Sequence, residues 1–274
     1  MVDVPHPPCQ FRPDTQISPF MDTLLALWPP ETLVLVTAAY LTAGVVKGTL
    51  GVGLPVVAIA ILAPTIGLKS AVGLVLLPSI ALNLWQALVG GGFVELLRRL
   101  WPLWVTAVAG IWVGVQILAG ADPAVLLTTL AIVLILYSLW SLSRAQVRPP
   151  GRWEPVLSPV VGFIAGLIFG MVGNFMVPGV LYHQALGLGR DRLVQGLGMS
   201  FVVISVAMLI FMSRFALIDS VTIVVSAGAM VPGLIGMAIG RQVRRFFNEA
   251  QFRVTFFIGL ILSGVYMLVK AQLG

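Results

Sequence analysis

The sequence GTLGVGLP, residues 48–55, interrupts an apolar region that extends from residue 32 to residue 68. A second apolar region, residues 155–189, contains a related interruption, GMVGNFMVP, at residues 170–178. Both regions are longer than the roughly 20 residues that one helix needs to cross a bilayer. Glycine and proline interrupt a helix and leave backbone N–H and C=O groups without hydrogen bonds, which lipid cannot supply. Each interruption must therefore be buried in protein or line a cavity. We therefore predict that each region forms two half-helices that meet inside a membrane protein.

The rest of the sequence also has the composition of a polytopic membrane protein. Of its 274 residues, 59% are hydrophobic and 9% are charged, whereas soluble domains are nearer 45–50% and about 25%. Transmembrane helices are predicted at six long runs with few charges: residues 70–94, 100–121, 123–143, 193–213, 220–240 and 254–269. The net charge of +6 comes from arginines in short connectors. We therefore expect the lipid bilayer, and no nucleic acid, as a partner.

The sequence contains a duplication. Ala43, Gly44, Gly48 and Gly51 recur as Ala165, Gly166, Gly170 and Gly173, at a constant offset of 122 residues. Both copies then continue into a proline, a charged turn and three predicted spans, and this order of elements indicates an internal repeat. We divide the chain into a tail with a short interfacial helix (residues 1–31), repeat 1 (32–143), a basic linker (144–155) and repeat 2 (156–274).

The basic residues favour one topology. If each broken region returns to the side from which it enters, eleven basic residues share one side: Arg98, Arg99, Arg144, Arg148, Arg152, Arg190, Arg192, Arg241, Arg244, Arg245 and Arg253. Four lie opposite: Arg12, Lys69, Arg214 and Lys270. If both broken regions cross, the split is an uninformative eight to seven. The positive-inside rule then predicts a cytoplasmic linker, with both termini outside the cell membrane.

The predicted fold is thus an all-α polytopic membrane protein with two inverted repeats. Each repeat consists of a broken re-entrant helix pair plus three transmembrane helices, and the odd number of crossings inverts the second copy. Inverted repeats with discontinuous helices are typical of transporters. We therefore expect one substrate site near the bilayer midplane, where the broken helices of both repeats meet.

Lys47 is the most informative charged residue, because it lies in the first apolar region beside the break. An ammonium at that depth is costly and usually functional. Alternatively, its side chain extends to the far headgroups, if the first half-helix crosses the membrane. In repeat 2 the equivalent position holds Phe169, so a cationic site would be one-sided.

The two breaks supply other candidate anion ligands. Backbone N–H groups at the N-termini of half-helices starting near Leu54 and Val177 would favour negative charge. The glycines could instead serve close helix packing. We assign to a substrate site Lys47, Gly48, Thr49, Gly51, Gly53, Gly170, Gly173 and Asn174.

Polar residues within the spans are further candidates. Six of them could line the cavity, or could equally form hydrogen bonds between helices: Asn83, Gln86, Gln116, Gln195, Ser200 and Ser205. His183 could titrate near neutral pH, but we expect it to cap a half-helix near the membrane surface.

Enzyme signatures are missing from the sequence. It contains no G-x-S-x-G, P-loop or H-E-x-x-H motif, and its carboxylates fall at connectors. We predict no enzymatic activity, no cofactor and no metal site. The single cysteine, Cys9, excludes an internal disulfide. A homo-oligomer is compatible with the sequence.

The chain resembles the sulfite exporter TauE/SafE family, also called the toluenesulfonate uptake permeases, in three places: the GTLGVGLP break, the second break with YHQALGL at residues 182–188, and LVQGLGMSF at residues 193–201. The resemblance covers residues 33–270. At residues 174–178 the chain has NFMVP in place of the family's usual glycine-glycine-proline run. The resemblance implies a bacterial cell-membrane carrier for small sulfur-containing or carboxylate anions, such as sulfite and sulfonates.

Three hypotheses follow for the function. The first is a secondary transporter that moves small anions (sulfite, organosulfonates or short carboxylates) by alternating access. The second is a passive anion channel, which would show no coupling to a gradient. The third is a non-transporting membrane scaffold, which would leave Lys47 and the paired breaks unexplained.

Overall fold

The structure, a computed structural model, describes residues 26–51, 53–143, 147–243 and 249–273. These residues form helices and connecting turns, with no strand among them. The α-helices are α1 (Pro30–Leu50), α2 (Leu54–Ile66), α3 (Leu68–Leu88), α4 (Phe93–Gly120), α5 (Pro123–Leu142), α6 (Glu154–Val172), α7 (Leu181–Ala185), α8 (Arg190–Arg214), α9 (Ser220–Val243) and α10 (Glu249–Leu273). A 3₁₀ turn, Gly151–Trp153, precedes α6, and a π-helical turn, Met176–Val180, precedes α7. Cys9 and all but the last three residues of the predicted tail helix (residues 17–28) lie outside this part of the chain.

Eight helices in the described part of the chain are long and apolar enough to cross a membrane, which confirms the prediction of an all-α polytopic membrane protein. Six of them (α3, α4, α5, α8, α9 and α10) match the predicted spans. The other two are α1 and α6, the first arms of the broken regions. At 1.5 Å per residue, the 21 residues of α1 extend about 30 Å. The first arms are therefore longer than the half-helices that we predicted, and only the second arms, α2 and α7, are short.

Glycines in the left-handed conformation end both first arms. Gly51 (φ 84°) follows α1 and donates its N–H to Lys47 O at 2.8 Å, and Gly173 (φ 71°) ends α6 in the same way. Residues with a Cβ avoid positive φ, so glycine is the residue that stops a helix here. Gly53 (φ 106°) then precedes α2, which has Pro55 in its first turn, where a missing N–H costs nothing. The predicted positions of the two breaks are confirmed.

Side-chain bonds between helices show the helix directions. α1 runs parallel to α3, α3 runs antiparallel to α8, and α4 runs parallel to α8. The bonds are Tyr40–Leu74 and Lys47–Asn83 for the first pair, Ser79–Ser205 and Ala87–Gln195 for the second, and Glu95–Arg192 and Trp104–Ser200 for the third. The short α2 connects α1 to α3, so it returns along them towards the end where α1 begins.

Glycine contacts join the two predicted repeats. α1 packs in parallel on α9, where the Cα atoms of Gly44 and Gly48 would lie 3.1 and 3.0 Å from a Cβ added to Gly236 and Gly240. α4 packs on α6 in the same manner, with Gly114 against Gly170. Such approaches leave no room for side chains and are typical of membrane helix pairs. The first helix of each repeat therefore packs on a later helix of the other repeat.

The bundle has two chemically different ends. One end carries Arg99, bonded to Glu154 of α6, and Arg192, bonded to Glu95 of α4. At the opposite end, Lys69 donates to Ala119 O and Lys270 to Pro64 O. We call these the arginine end and the lysine end.

Candidate functional site

A small cavity lies where α1 ends, beside the first break. Its volume is about 30 Å³, measured as the space open to the centre of a water molecule. The lining residues come from α1, α2, α3, α8 and the break: Lys47, Gly51, Gly53, Pro55, Asn83, Gln86, Val194, Leu197 and Phe201. Gly51 and Val194 are exposed, and both lie near the arginine end. The cavity therefore opens towards the arginine end.

Lys47 is the charged residue of this cavity. Its side chain is 6% exposed, and its Nζ donates to Asn83 Oδ1 at 3.2 Å. Neither of the two ion pairs found among the described residues includes Lys47. The other buried polar residues described are neutral or histidine. The described residues thus supply one neutral amide and no counter-charge to this buried ammonium, which makes the cavity a candidate site for an anion.

Asn83 orients Lys47 without neutralising it. The Asn83 Nδ2 donates to the carbonyl of Ser79 at 2.7 Å, one turn earlier in α3. This bond assigns the amide nitrogen to the core side and leaves Oδ1 facing Lys47. Asn83 therefore positions the ammonium at the cavity while leaving its charge available.

The N-terminus of α2 faces the same cavity. Gly53 and Pro55 both belong to the lining, and α2 begins between them at Leu54. First-turn N–H groups have no acceptor within their own helix, and the helix dipole favours negative charge there. The predicted combination of Lys47 with a helix N-terminus is thus present at the first break.

Gly48 and Thr49 lie outside the cavity and hold α1 against α9. A Cβ on Gly48 would lie 2.3 Å from Met237 O. The Thr49 hydroxyl is bonded to Val45 O (2.8 Å) and Gly240 O (3.2 Å). Both residues face α9 because the helical period turns them away from Lys47. The structure does not bring them into one site with Lys47.

The glycines of the second break also lie apart from the cavity. Gly170 packs on α4, where its Cβ would lie 2.6 Å from Ile111 O. A Cβ on Gly173 would meet Ile59 of α2 at 2.7 Å and Val72 of α3 at 2.9 Å. The expected meeting of both breaks at one site is therefore absent from this cavity, whose lining includes residues of the first break alone.

No regular helix N-terminus forms near Val177, contrary to our prediction. Val177 has extended backbone angles (φ −116°, ψ 126°), and Pro178 has no N–H to offer. The Met176 N–H is already bonded to Asn174 Oδ1 at 2.8 Å. The Asn174 Nδ2 is buried without a partner among the described residues. The α7 helix that follows has only five residues.

Aromatic rings occupy the second break. Phe169 and Phe175 stand at the positions equivalent to Lys47 and Gly53, and their ring centroids lie 6.2 Å apart. Phe175 also contacts Phe201, a cavity-lining residue, at 5.7 Å. The two breaks therefore differ in chemistry: the first is polar and open, and the second is apolar and filled.

Gln195 and Ser200 bond to other helices and do not line the cavity. Gln195 accepts from Gly92 N at 2.9 Å and donates to Ala87 O at 3.1 Å, which fixes the turn between α3 and α4. Ser200 accepts from Trp104 Nε1 at 2.8 Å. Its hydroxyl also contacts His183 Nε2 at 2.8 Å. Both residues therefore form hydrogen bonds between helices, which was the alternative to lining the cavity.

His183 is completely buried, whereas we expected it near the membrane surface. Its Nδ1 lies 2.8 Å from Gly179 O, one turn earlier. A carbonyl can only accept, so Nδ1 carries the proton and Nε2 accepts from Ser200. The sequence pattern missed this burial because the Nε2 partner, Ser200, lies on another helix, α8.

Sequence reasoning also missed the apolar lining of the cavity, namely Val194, Leu197, Phe201 and Pro55. The apolar residues of a transmembrane helix are of the same types whether they face lipid, the protein core or a cavity, so the sequence does not identify those that line the cavity. Phe201 closes the LVQGLGMSF stretch, but its role there follows only from the packing of α8 on α3.

Comparison with known proteins connects this geometry to a family. The family described as "Sulfite exporter TauE/SafE" matches residues 36–267, a range that contains the cavity and both breaks. Comparison with curated proteins and with solved structures gave no significant match. Because the match extends over most of the chain, from α1 to α10, the chain belongs to the sulfite exporter TauE/SafE family of membrane transporters.

Proposed function

We propose that this protein is a secondary transporter that moves a small oxyanion across the cell membrane, with Lys47 as the cation that binds it. The supporting observation is the buried ammonium of Lys47 in a cavity, with Asn83 as its only bonded partner among the described residues. Sulfite, organosulfonates and short carboxylates share the required charge. The narrow cavity favours the smallest of these anions, because its volume of about 30 Å³ accommodates little more than one or two waters.

Alternating access is the mechanism that we propose. The cavity opens at the arginine end, while packed residues close the route to the lysine end. The Tyr40 and Ser226 hydroxyls both bond to Leu74 O, at 2.6 and 2.5 Å, and α2 is buried along most of its length. A closed far side favours a carrier over a passive channel, which needs a continuous path.

We also propose that the two copies are inverted repeats. The helix directions support this, since α1, α3 and α9 run one way and their counterparts α6, α8 and α4 run the other. In transporters with this architecture, rocking of one repeat against the other exposes the site alternately to the two faces.

The arginine end is the cytoplasmic side in this proposal, and both termini are outside. The excess of arginine at that end supports this orientation. Cys9 is the only cysteine in the sequence, so a membrane-impermeant maleimide should label it in intact cells, or in spheroplasts if an outer membrane intervenes. If Cys9 is labelled only after permeabilisation of the cytoplasmic membrane, the opposite orientation is correct.

Ligand binding to the purified protein tests the function directly. Isothermal titration with sulfite, methanesulfonate, acetate and benzenesulfonate should give binding that is strongest for sulfite. Choline chloride at equal ionic strength is the control. Uptake of labelled sulfite into proteoliposomes, with and without an internal sulfite load, then separates a carrier from a channel, because only a carrier is accelerated by exchange. Absence of both binding and uptake would exclude the proposal.

A further inference from the structure

A row of buried polar side chains continues from the cavity into the core. Behind Lys47, the Asn83 amide bonds to Ser79 through both the carbonyl (2.7 Å) and the hydroxyl (3.4 Å). The Ser205 hydroxyl of α8 then donates to Ser79 Oγ at 3.2 Å. These three residues are at most 4% exposed. The row therefore leads from the ammonium into the contact between α3 and α8.

The position of this row in the repeat is informative. Asn83 and Ser205 are separated by 122 residues, the offset of the duplication, and both bond to Ser79. Equivalent residues of the two copies therefore meet at one point, which must lie close to the axis relating the repeats. A site that serves both faces in turn has to lie near such an axis.

Two side-chain hydroxyls are suitable ligands for an oxyanion there, if Ser205 turns its proton from Ser79 Oγ to the anion. Phe169 replaces Lys47 in the second copy, so the half of the site towards the lysine end lacks an equivalent lysine. Hydroxyl groups donate hydrogen bonds without carrying charge. Neutral donors bind an anion weakly enough to release it, as passage through a membrane protein requires.

We infer that Ser79 and Ser205 form an inner oxyanion site, which takes the anion from Lys47 when the carrier opens to the lysine end. This inference rests on the proposed function and identifies the second half of its binding site. The alternative is that the two serines only join α3 to α8, as polar residues do in many membrane proteins.

Two variants of equal shape separate these roles. Ser205→Thr and Ser205→Val add the same volume, and only the threonine keeps the hydroxyl. We expect both variants to bind sulfite in detergent with a Kd within about twofold of each other, because binding is dominated by Lys47. The valine variant should transport sulfite about tenfold more slowly than the threonine variant, the loss expected for one hydrogen bond to a charged ligand.

Ser138→Ala is the matched control, because Ser138 is also fully buried and its one bond found among the described residues stays within its own helix, to Leu134 O at 2.7 Å. It should transport at the wild-type rate. Equal transport by the threonine and valine variants would overturn the inference. If both misfold, Ser205→Ala and Ser79→Ala replace them, and wild-type rates in these variants overturn it equally. A wrong proposed function can be distinguished from a wrong inference about the serines, because in that case the wild-type protein would neither bind nor transport sulfite.

Discussion

Lys47→Met is the substitution that most directly tests the proposed site. Methionine has a similar length and apolar volume but no charge. The Lys47 ammonium is buried, and its Nζ donates a hydrogen bond to Asn83 Oδ1 at 3.2 Å. The substitution therefore removes the charge from the cavity while changing its packing little.

The expected loss of affinity follows from the electrostatics of this pocket. At an effective dielectric constant of about 20, an anion about 4 Å from the ammonium gains about 4 kcal/mol. Desolvation of the anion offsets part of this attraction. A net loss of about 1.4–2.8 kcal/mol remains, which corresponds to a ten- to hundredfold higher Kd for sulfite.

Titration of sulfite and proteoliposome uptake measure the two consequences. Lys69→Met is the matched control, because Lys69 lies at the lysine end and donates to Ala119 O, away from the cavity. We expect near wild-type sulfite affinity for Lys69→Met. Lys47→Arg should retain partial transport, since the charge stays while the larger guanidinium fits the narrow cavity poorly.

Protein stability supplies an independent readout. Removing a buried charge that has no ionic partner among the described residues should raise the free energy of unfolding of Lys47→Met, by at least about 1 kcal/mol. A variant that is more stable but inactive would identify Lys47 as a functional residue. Wild-type sulfite affinity and uptake in a correctly inserted Lys47→Met protein would refute the reasoning, and would show that this lysine serves only as a structural residue.

Four other substitutions test the surroundings of the site. Asn83→Asp places a carboxylate beside Lys47, so sulfite affinity should fall at least about tenfold; unchanged affinity in a titration would contradict this. Gly48→Ala forces a Cβ against the α9 backbone and should lower the thermal midpoint and the yield of folded protein, without a separate effect on Kd. Glu154→Gln breaks a partly buried two-point ion pair and should destabilise the protein by about 1–2 kcal/mol, whereas Glu95→Gln, in an exposed pair, should cost less than about 0.5 kcal/mol in the same melting assay.

The breaks were predictable from sequence because their causes are local. A left-handed glycine stops α1 at Gly51 and α6 at Gly173, and a proline near the start of the next segment lacks an N–H. The lengths of the first arms were less predictable. Whether α1 begins deep in the membrane or at its surface depends on what surrounds it, and Pro30 to Leu50 is uncharged apart from Glu31 and Lys47.

The assignment of individual glycines was harder. Gly48 and Gly170 were assigned to a substrate site, but both serve helix packing, with backbone atoms of another helix less than 3 Å from where a Cβ would lie. A glycine exposes backbone equally to a ligand and to a neighbouring helix. The sequence cannot distinguish these uses, because the partner helix comes from the other repeat, more than 50 residues away.

The two copies that the sequence predicts share their packing glycines but differ at the proposed site. Glycines that join the repeats occur in both copies, whereas Lys47 and Gly53 of the first break are replaced by Phe169 and Phe175 in the second. The strong electrostatic attraction for an anion therefore lies beside the opening at the arginine end. A carrier built in this way should saturate at a lower anion concentration on that face. Such asymmetry does not set the direction of transport, because binding energy gained on entry must be returned on release, and the gradient alone decides the net flow.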